Sequence, residues 1–361
     1  MSAILSVATA VPEHRLEAAD ALAQLRRFWP QLDRLEDGDA GLGTRYTCEP
    51  VDRLLKPRPL GETQTAYLEH ARGLASSCAR KAIRSAGMEA GDIDLVISVS
   101  CTGYAVPSLD VYLAGELGMR SDVLRLPITE LGCSGGSAAL ALAHRHLAGF
   151  PHDRVLVVAV ELPSLNFQRS NASADNLTAS LVFGDGAGAA VVAAPDSGRA
   201  RLEIVGTSSH LIPGTERYLG FDLRDGGFHV VLDRRLPRVL MRELRPAVDR
   251  FLADSELRPS FYAVHAAGPR IFSAVEKALS LPSGALDVSR EVFAQVGNTS
   301  SAAILFALER LLSTLEERPS GQGLGIGIGP GISVELMHLA WTAAGIGAHA
   351  PAAAIRPEPA P

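Results

Sequence analysis

The chain has 361 residues, 47% of them apolar and 20% charged, and its 34 basic and 40 acidic side chains leave a net charge of −6. That is enough chain and apolar surface for two domains or one large α/β unit, and no block of like charge marks a nucleic-acid surface or a polybasic membrane anchor. Cys48, Cys78, Cys101 and Cys133 form no CxxC pair, so neither a disulfide framework nor a metal site is indicated, and reduced thiols in the cytoplasm are expected.

Residues 1–10 lack the positive leader and full apolar stretch of a signal peptide and read as a first strand. Apolar spacing of three and four predicts helices over 65–86, 108–117 and 137–147. Between and after them, apolar runs predict strands over 94–100, 155–160 and 187–193. After a loop over 194–199 the plan begins again: strand 202–207, helix 239–252, strand 261–265, helix 302–315, and a glycine-alternating strand 324–328 leading into Gly329-Pro330-Gly331. Two halves of similar plan follow, 1–195 and 196–345, with a flexible Ala/Pro-rich tail over 346–361. No run approaches the roughly 18 apolar residues of a membrane span.

The segment Leu131-Gly132-Cys133-Ser134-Gly135-Gly136 puts a cysteine among tiny residues at the start of a helix. The positive helix end favours a thiolate, and small neighbours let a bulky thioester approach. A buried, inert cysteine at a close helix contact is the alternative. The same residues fit the GxSxG pattern of serine hydrolases, with Ser134 as nucleophile and Asp233 and His265 following in hydrolase order. Against that reading, the preceding Leu126 to Leu131 is short and broken by proline, a poor nucleophile elbow.

His265 ends an apolar strand just before a glycine turn, where a sheet presents side chains to a cleft, or it is a satisfied core histidine. Asn298, taken alone, is a helix N-cap. Together Cys133, His265 and Asn298 make a Cys-His-Asn set in the order also used by papain-like proteases, whose sequence context around the cysteine is absent here. The other chemistry that needs this set is decarboxylative condensation of thioesters, in which a cysteine carries an acyl group while a neutral histidine and an asparagine amide stabilise an enolate.

These residues, with Phe183-Gly184-Asp185-Gly186, Gly227-Phe228-His229, Val264-His265-Ala266-Ala267-Gly268-Pro269, Gly297-Asn298-Thr299-Ser300-Ser301 and Gly327-Ile328-Gly329-Pro330-Gly331, resemble the type III polyketide synthases, the chalcone synthase-like family. The resemblance covers nearly the whole chain and is closest to the bacterial alkylpyrone- and naphthalene-forming members. It implies an α/β thiolase fold, with two similar halves in an αβαβα layering. It also implies a cofactor-free acyltransferase that condenses an acyl starter with malonyl units and cyclises the product.

By the same resemblance Cys133 carries the acyl group, and His265 and Asn298 activate and stabilise. Phe183 and Phe228 stand between the CoA tunnel and the cavity, and Cys101, Phe221, Ser300, Gly329 and Pro330 line the substrate site. Val106 reaches the partner's site, so a homodimer is implied, with acyl-CoA or an acyl carrier protein as donor and no nucleic acid or membrane partner.

Three departures stand out. The turn after the histidine reads His-Ala-Ala-Gly-Pro rather than His-Pro-Gly-Gly-Pro or His-Ala-Gly-Gly-Pro. The stretch 39–46 keeps only Arg45 where plant members set several cations against the CoA phosphates, which predicts weak phosphate recognition. Phe221 replaces the tyrosine of the naphthalene-forming members and points to a pyrone or an alkylresorcinol. The alternatives are a ketoacyl synthase III-like initiating ketosynthase, the Ser134 hydrolase, and a non-catalytic binding protein of the same fold.

Overall fold

Runs such as Leu-Val-Ile-Ser-Val and Val-Leu-Val-Val-Ala-Val-Glu show no polar alternation, the mark of strands covered on both faces. In the computed structural model, which describes residues 1–29, 43–195, 201–253, 258–316 and 319–343, both lie within one nine-stranded sheet. The strands are β1 (Ser2–Ala10), β2 (His14–Glu17), β3 (Thr44–Thr47), β4 (Leu95–Val99), β5 (Leu124–Ile128), β6 (Val155–Glu161), β7 (Gly186–Ala193), β8 (Arg201–Leu211), β9 (Leu219–Arg224), β10 (Gly227–Leu232), β11 (Phe261–Val264), β12 (Gly321–Gly329) and β13 (Ser333–Thr342). The helices are α1 (Ala18–Arg26), α2 (Val51–Leu54), α3 (Leu60–Ser85), α4 (Leu109–Leu117), α5 (Gly135–Gly149), α6 (Ala174–Val182), α7 (Leu236–Phe251), α8 (Pro269–Leu279), α9 (Asp287–Val296) and α10 (Ala303–Leu315).

The large sheet runs β11-β12-β13-β8-β1-β7-β6-β4-β5, and β9–β10 and β2–β3 form separate hairpin-like pairs. The two halves meet where Ser2 to Ile4 of β1 pair antiparallel with Leu202 to Ile204 of β8. Helices α5 and α10 pack against strands of both halves, whereas α3 covers the outer face of the first half and α7, packed on α8, covers the second. The order α, β, α, β, α that results is the layering expected from the resemblance.

The predicted strands and helices are present, with α3 beginning earlier than expected, at Leu60, and α7 at Leu236. The weak segment before Cys133 is a strand after all. As β5 it forms the sheet edge, where Pro127 costs no interior hydrogen bond, and its residues are largely exposed. The expected tail beyond residue 343, most of the loop at 194–199 and residues 39–42 lie outside the described residues.

Candidate active site

After β5 the chain turns through a 3₁₀ segment, Gly132–Ser134, directly into α5, which places Cys133 at the mouth of the central helix layer. Gly132 has φ 52°, and a Cβ there would lie 2.5 Å from Cγ of Pro330. A Cβ on Gly136 would strike the Ser301 carbonyl, and one on Gly329 the Ser134 side chain. The small residues around Cys133 therefore serve close packing of α5 on the turn at 300–302 and on the Gly329-Pro330 corner. Substrate access is the role expected for them; at Gly132, Gly136 and Gly329 the space beside the α-carbon is taken by Pro330, Ser301 and Ser134.

The Cys133 thiol is buried, with Sγ 3.4 Å from Oγ of Ser300. The same hydroxyl lies 3.4 Å from Sγ of Cys101, so Ser300 bridges two thiols. Beneath them Glu161, the last residue of β6 and fully buried, accepts hydrogen bonds from the Cys101 amide (3.1 Å), the Thr102 amide (3.1 Å), the Thr102 hydroxyl (2.7 Å) and the Ser301 hydroxyl. Burial raises its pKa against these donors. Glu161 is absent from the sequence reading. The signal was present, because a lone carboxylate ends an otherwise wholly apolar strand.

His265 follows β11 immediately, and its Nε2 lies 3.1 Å from Oδ1 of Asn298. The same oxygen accepts the Ser300 amide at 2.8 Å, an Asx turn rather than a helix N-cap, since the 3₁₀ turn that follows begins with Thr299 as its cap residue. Cys133, Ser300, Asn298 and His265 thus form one connected set. With Oδ1 occupied, the Asn298 amide keeps its Nδ2 hydrogens for an incoming group, and Nδ1 of His265 is buried without a partner among the described residues. The altered His-Ala-Ala-Gly-Pro turn is tolerated because only Gly268 takes a positive φ, 124°, and that glycine is retained.

Burial sets the protonation states. It pushes Cys133 up to about 12 and His265 down to about 4, so at neutral pH both are uncharged. The thiolate expected from the helix terminus is not the resting state. The loss of hydration at a buried sulfur, with Glu161 nearby, outweighs the lowering by the Ser300 hydroxyl and the backbone amide.

Phe183, Phe221 and Phe228 line a cavity of about 950 Å³ including its open mouth, together with residues of α1, α2 and α6. Phe221 and Phe228 meet edge to face, centroids 6.1 Å apart. Phe183 belongs to both regions: it lines the cavity while its backbone bridges to Asn298. Cys101, Ser300, Gly329 and Pro330, also expected to line the substrate site, are not among the residues lining this cavity: Cys101 and Ser300 lie with Cys133, and Pro330 and Gly329 pack against Gly132 and Ser134. Asp185 anchors the Phe183 loop by accepting the Cys48 amide at 2.7 Å and the Ser164 amide at 2.9 Å.

Arg45, the one cation left in the stretch where plant members set several against the CoA phosphates, is buried. It is 3% exposed, donates to the carbonyls of Thr44, Leu181 and Phe293, and lies over the Phe293 ring at 4.7 Å. Gly297 packs against it so closely that a Cβ would stand 2.5 Å from its Cδ. Arg45 thus props the loop carrying Asn298. Exposed cations come instead from Arg27, hydrogen-bonded to the cavity residue Gln24, and Lys56, which follows the cavity residues Leu54 and Leu55.

Ser134 is fully buried and donates to the Leu131 carbonyl at 2.9 Å, with Ser333 at 3.0 Å. Asp233 pairs with Arg235, and His265 with Asn298. No hydrolase triad is assembled.

Residues 59–196 match the family model of the chalcone and stilbene synthase N-terminal domain, and residues 203–341 match that of the C-terminal domain. The chain belongs to the chalcone and stilbene synthase family. This synthase is 37% identical over 352 residues to a 1,3,6,8-tetrahydroxynaphthalene synthase of Streptomyces peucetius subsp. caesius, covering 94% of this chain and 93% of the relative. It is 28% identical to a phloroglucinol synthase of Pseudomonas fluorescens, covering 92% of this chain and 97% of that one. Its fold superposes on the crystal structure of the Streptomyces coelicolor A3(2) tetrahydroxynaphthalene synthase with a TM-score of 0.90 at 32% identity, covering 95% of this chain and 100% of the other. The synthase is a condensing acyltransferase of the type III polyketide kind, and neither the ketoacyl synthase III reading nor the hydrolase reading is favoured.

Proposed function

We propose that Cys133 accepts the starter acyl group and that His265 and Asn298 generate the attacking enolate. In loading, the Cys133 sulfur adds to the thioester carbonyl, its proton passes to the neutral imidazole and from there to the departing sulfur, and the donor leaves as a free thiol. In extension, malonyl thioester loses carbon dioxide, and the electron pair moves onto its thioester oxygen, where the Nδ2 hydrogens of Asn298 donate while the imidazole Nε2–H holds Oδ1 in place. The enolate carbon then attacks the acyl carbonyl and Cys133 departs. The observation that carries this reading is the spare Nδ2 of Asn298, held in place by two contacts at Oδ1.

Substrate enters past Phe183 and Phe228, and Arg27 and Lys56 at the mouth meet the CoA phosphates. The functional unit is a homodimer built on the β5 edge, where Tyr104, Val106, Leu124 and Leu126 are exposed. The product is a pyrone or an alkylresorcinol, because Phe221 offers no hydroxyl to the cavity.

The test is to incubate the purified protein with malonyl-CoA and a series of acyl-CoA starters and to identify products by mass spectrometry. Cys133→Ala should abolish loading yet still release carbon dioxide from malonyl-CoA. Asn298→Ala should load but fail to decarboxylate; unchanged decarboxylation would sink the assignment. Tetrahydroxynaphthalene from malonyl-CoA alone would overturn the product reading.

A further inference from the structure

Although the whole chain carries −6, residues 233–250 hold six arginines and three acids. On α7 they are not scattered. Leu236, Val239, Leu240, Leu244, Ala247 and Val248 are buried against the second half, and the opposite side presents Arg235, Arg238, Arg242 and Arg245 at helical spacing of three and four. This stripe is roughly 15 Å long at 1.5 Å per residue. Arg234 flanks it, and both Arg234 and Arg238 are exposed and make no ion pair with the described residues. Arg235, Arg242 and Arg245 have only local acidic partners, Asp233, Glu243 and Asp249, on the same stretch of chain.

The stripe begins within a few residues of the cavity lining. Val230 of β10 lines the cavity, and four residues later the chain reaches Arg234, at most about 14 Å away even fully extended. Leu232 is tied to α6, whose Asn176, Ala179 and Ser180 line the cavity, by its amide, which donates to Asp175 at 3.0 Å. Arg235 lies over the Tyr218 ring, 4.3 Å from its centroid, which fixes the start of the stripe beside the segment that leads into β9.

A small donor such as CoA has its phosphates at the end of its arm and has no use for a row of cations roughly 15 Å long on a neighbouring helix. An acidic protein that delivers its acyl group on a long pantetheine arm has that use, because it must lie beside the opening while its arm enters. We infer that the α7 arginine stripe docks an acidic acyl carrier domain, which transfers its acyl group from the arm's sulfur to Cys133 and leaves with a free thiol. The inference rests on the proposed role of Cys133 as acyl acceptor. Charge complementarity of this kind governs encounter and register more than the chemistry that follows, so the stripe should affect one donor and not the other.

The experiment presents the same hexanoyl group to the full chain on CoA and on a bacterial fatty-acid acyl carrier protein, and follows Cys133 acylation by intact-protein mass spectrometry. Arg238→Glu with Arg242→Glu should slow loading from the carrier by roughly tenfold or more while leaving loading from CoA unchanged. Arg310→Glu, a surface reversal elsewhere, should change neither. Retained CoA loading also shows that the variants are folded. The inference is overturned if the double variant takes both donors at the wild-type rate, if it loses both equally, or if the wild type loads from CoA but not from the carrier. If the wild type loads from neither, the role of Cys133 itself falls, and the inference with it.

Discussion

The hydroxyl of Ser300 lies 3.4 Å from the sulfur of Cys133, and Ser300 holds this position at φ 50°, a left-handed conformation unfavourable for any residue with a side chain. The Ser300 amide, fixed at 2.8 Å by Asn298, keeps the backbone there. Strain of this kind persists where the surroundings over-determine it.

Separate variants should divide the two effects. Ser300→Ala keeps the strain and removes the hydroxyl, and it should slow Cys133 acylation by about fivefold to tenfold, the worth of about 1 kcal/mol of hydrogen bonding. Ser300→Gly should slow acylation equally but raise the unfolding temperature relative to Ser300→Ala, since glycine takes positive φ without penalty. Equal melting temperatures for the two variants would remove the case for stored strain.

The pH dependence follows from His265, whose pKa falls from 6.5 to about 4 on folding. Between those values the unfolded chain binds a proton that the folded chain refuses, so this site's stability is intact above 6.5 and is lost as pH falls toward 4. The effect is about 3 kcal/mol at full extent. His265→Gln should flatten the urea-unfolding free energy over that window. Asp185, raised to about 6, acts in the opposite sense over pH 4–6 and should be unaffected by the substitution. At the alkaline end, iodoacetamide labelling of Cys133 should keep rising beyond pH 9, because its thiol is held up to about 12.

Gly297 joins stability to chemistry. It sits at φ 80° with the Arg45 side chain against its α-carbon. Gly297→Ala should destabilise the fold by about 2 to 3 kcal/mol, combining backbone strain with a clash against a buried cation, and should reduce malonyl-CoA decarboxylation by displacing Asn298. Differential scanning calorimetry and carbon dioxide release measure the two, and loss of stability with full decarboxylation would show that Arg45 supports the fold but not the site.

The Cys-His-Asn set, the strand and helix plan of both halves and the family were legible in the sequence, because each depends on residue type at fixed spacing: tiny residues before a helix, a histidine at a strand end, β-branched runs between helices. What the sequence could not carry were properties of contact and solvation. Arg45 reads as a surface cation until Phe293, Gly297 and Gly184 are folded around it. Glu161 becomes the anchor of the Cys101 and Ser301 segments only once β6 is brought beneath both. The protonation of Cys133 escapes the sequence for the same reason: a helix terminus is visible in the order of residues, but the water removed from a sulfur is set by side chains from distant parts of the chain, and at this thiol that loss is the largest effect on its pKa.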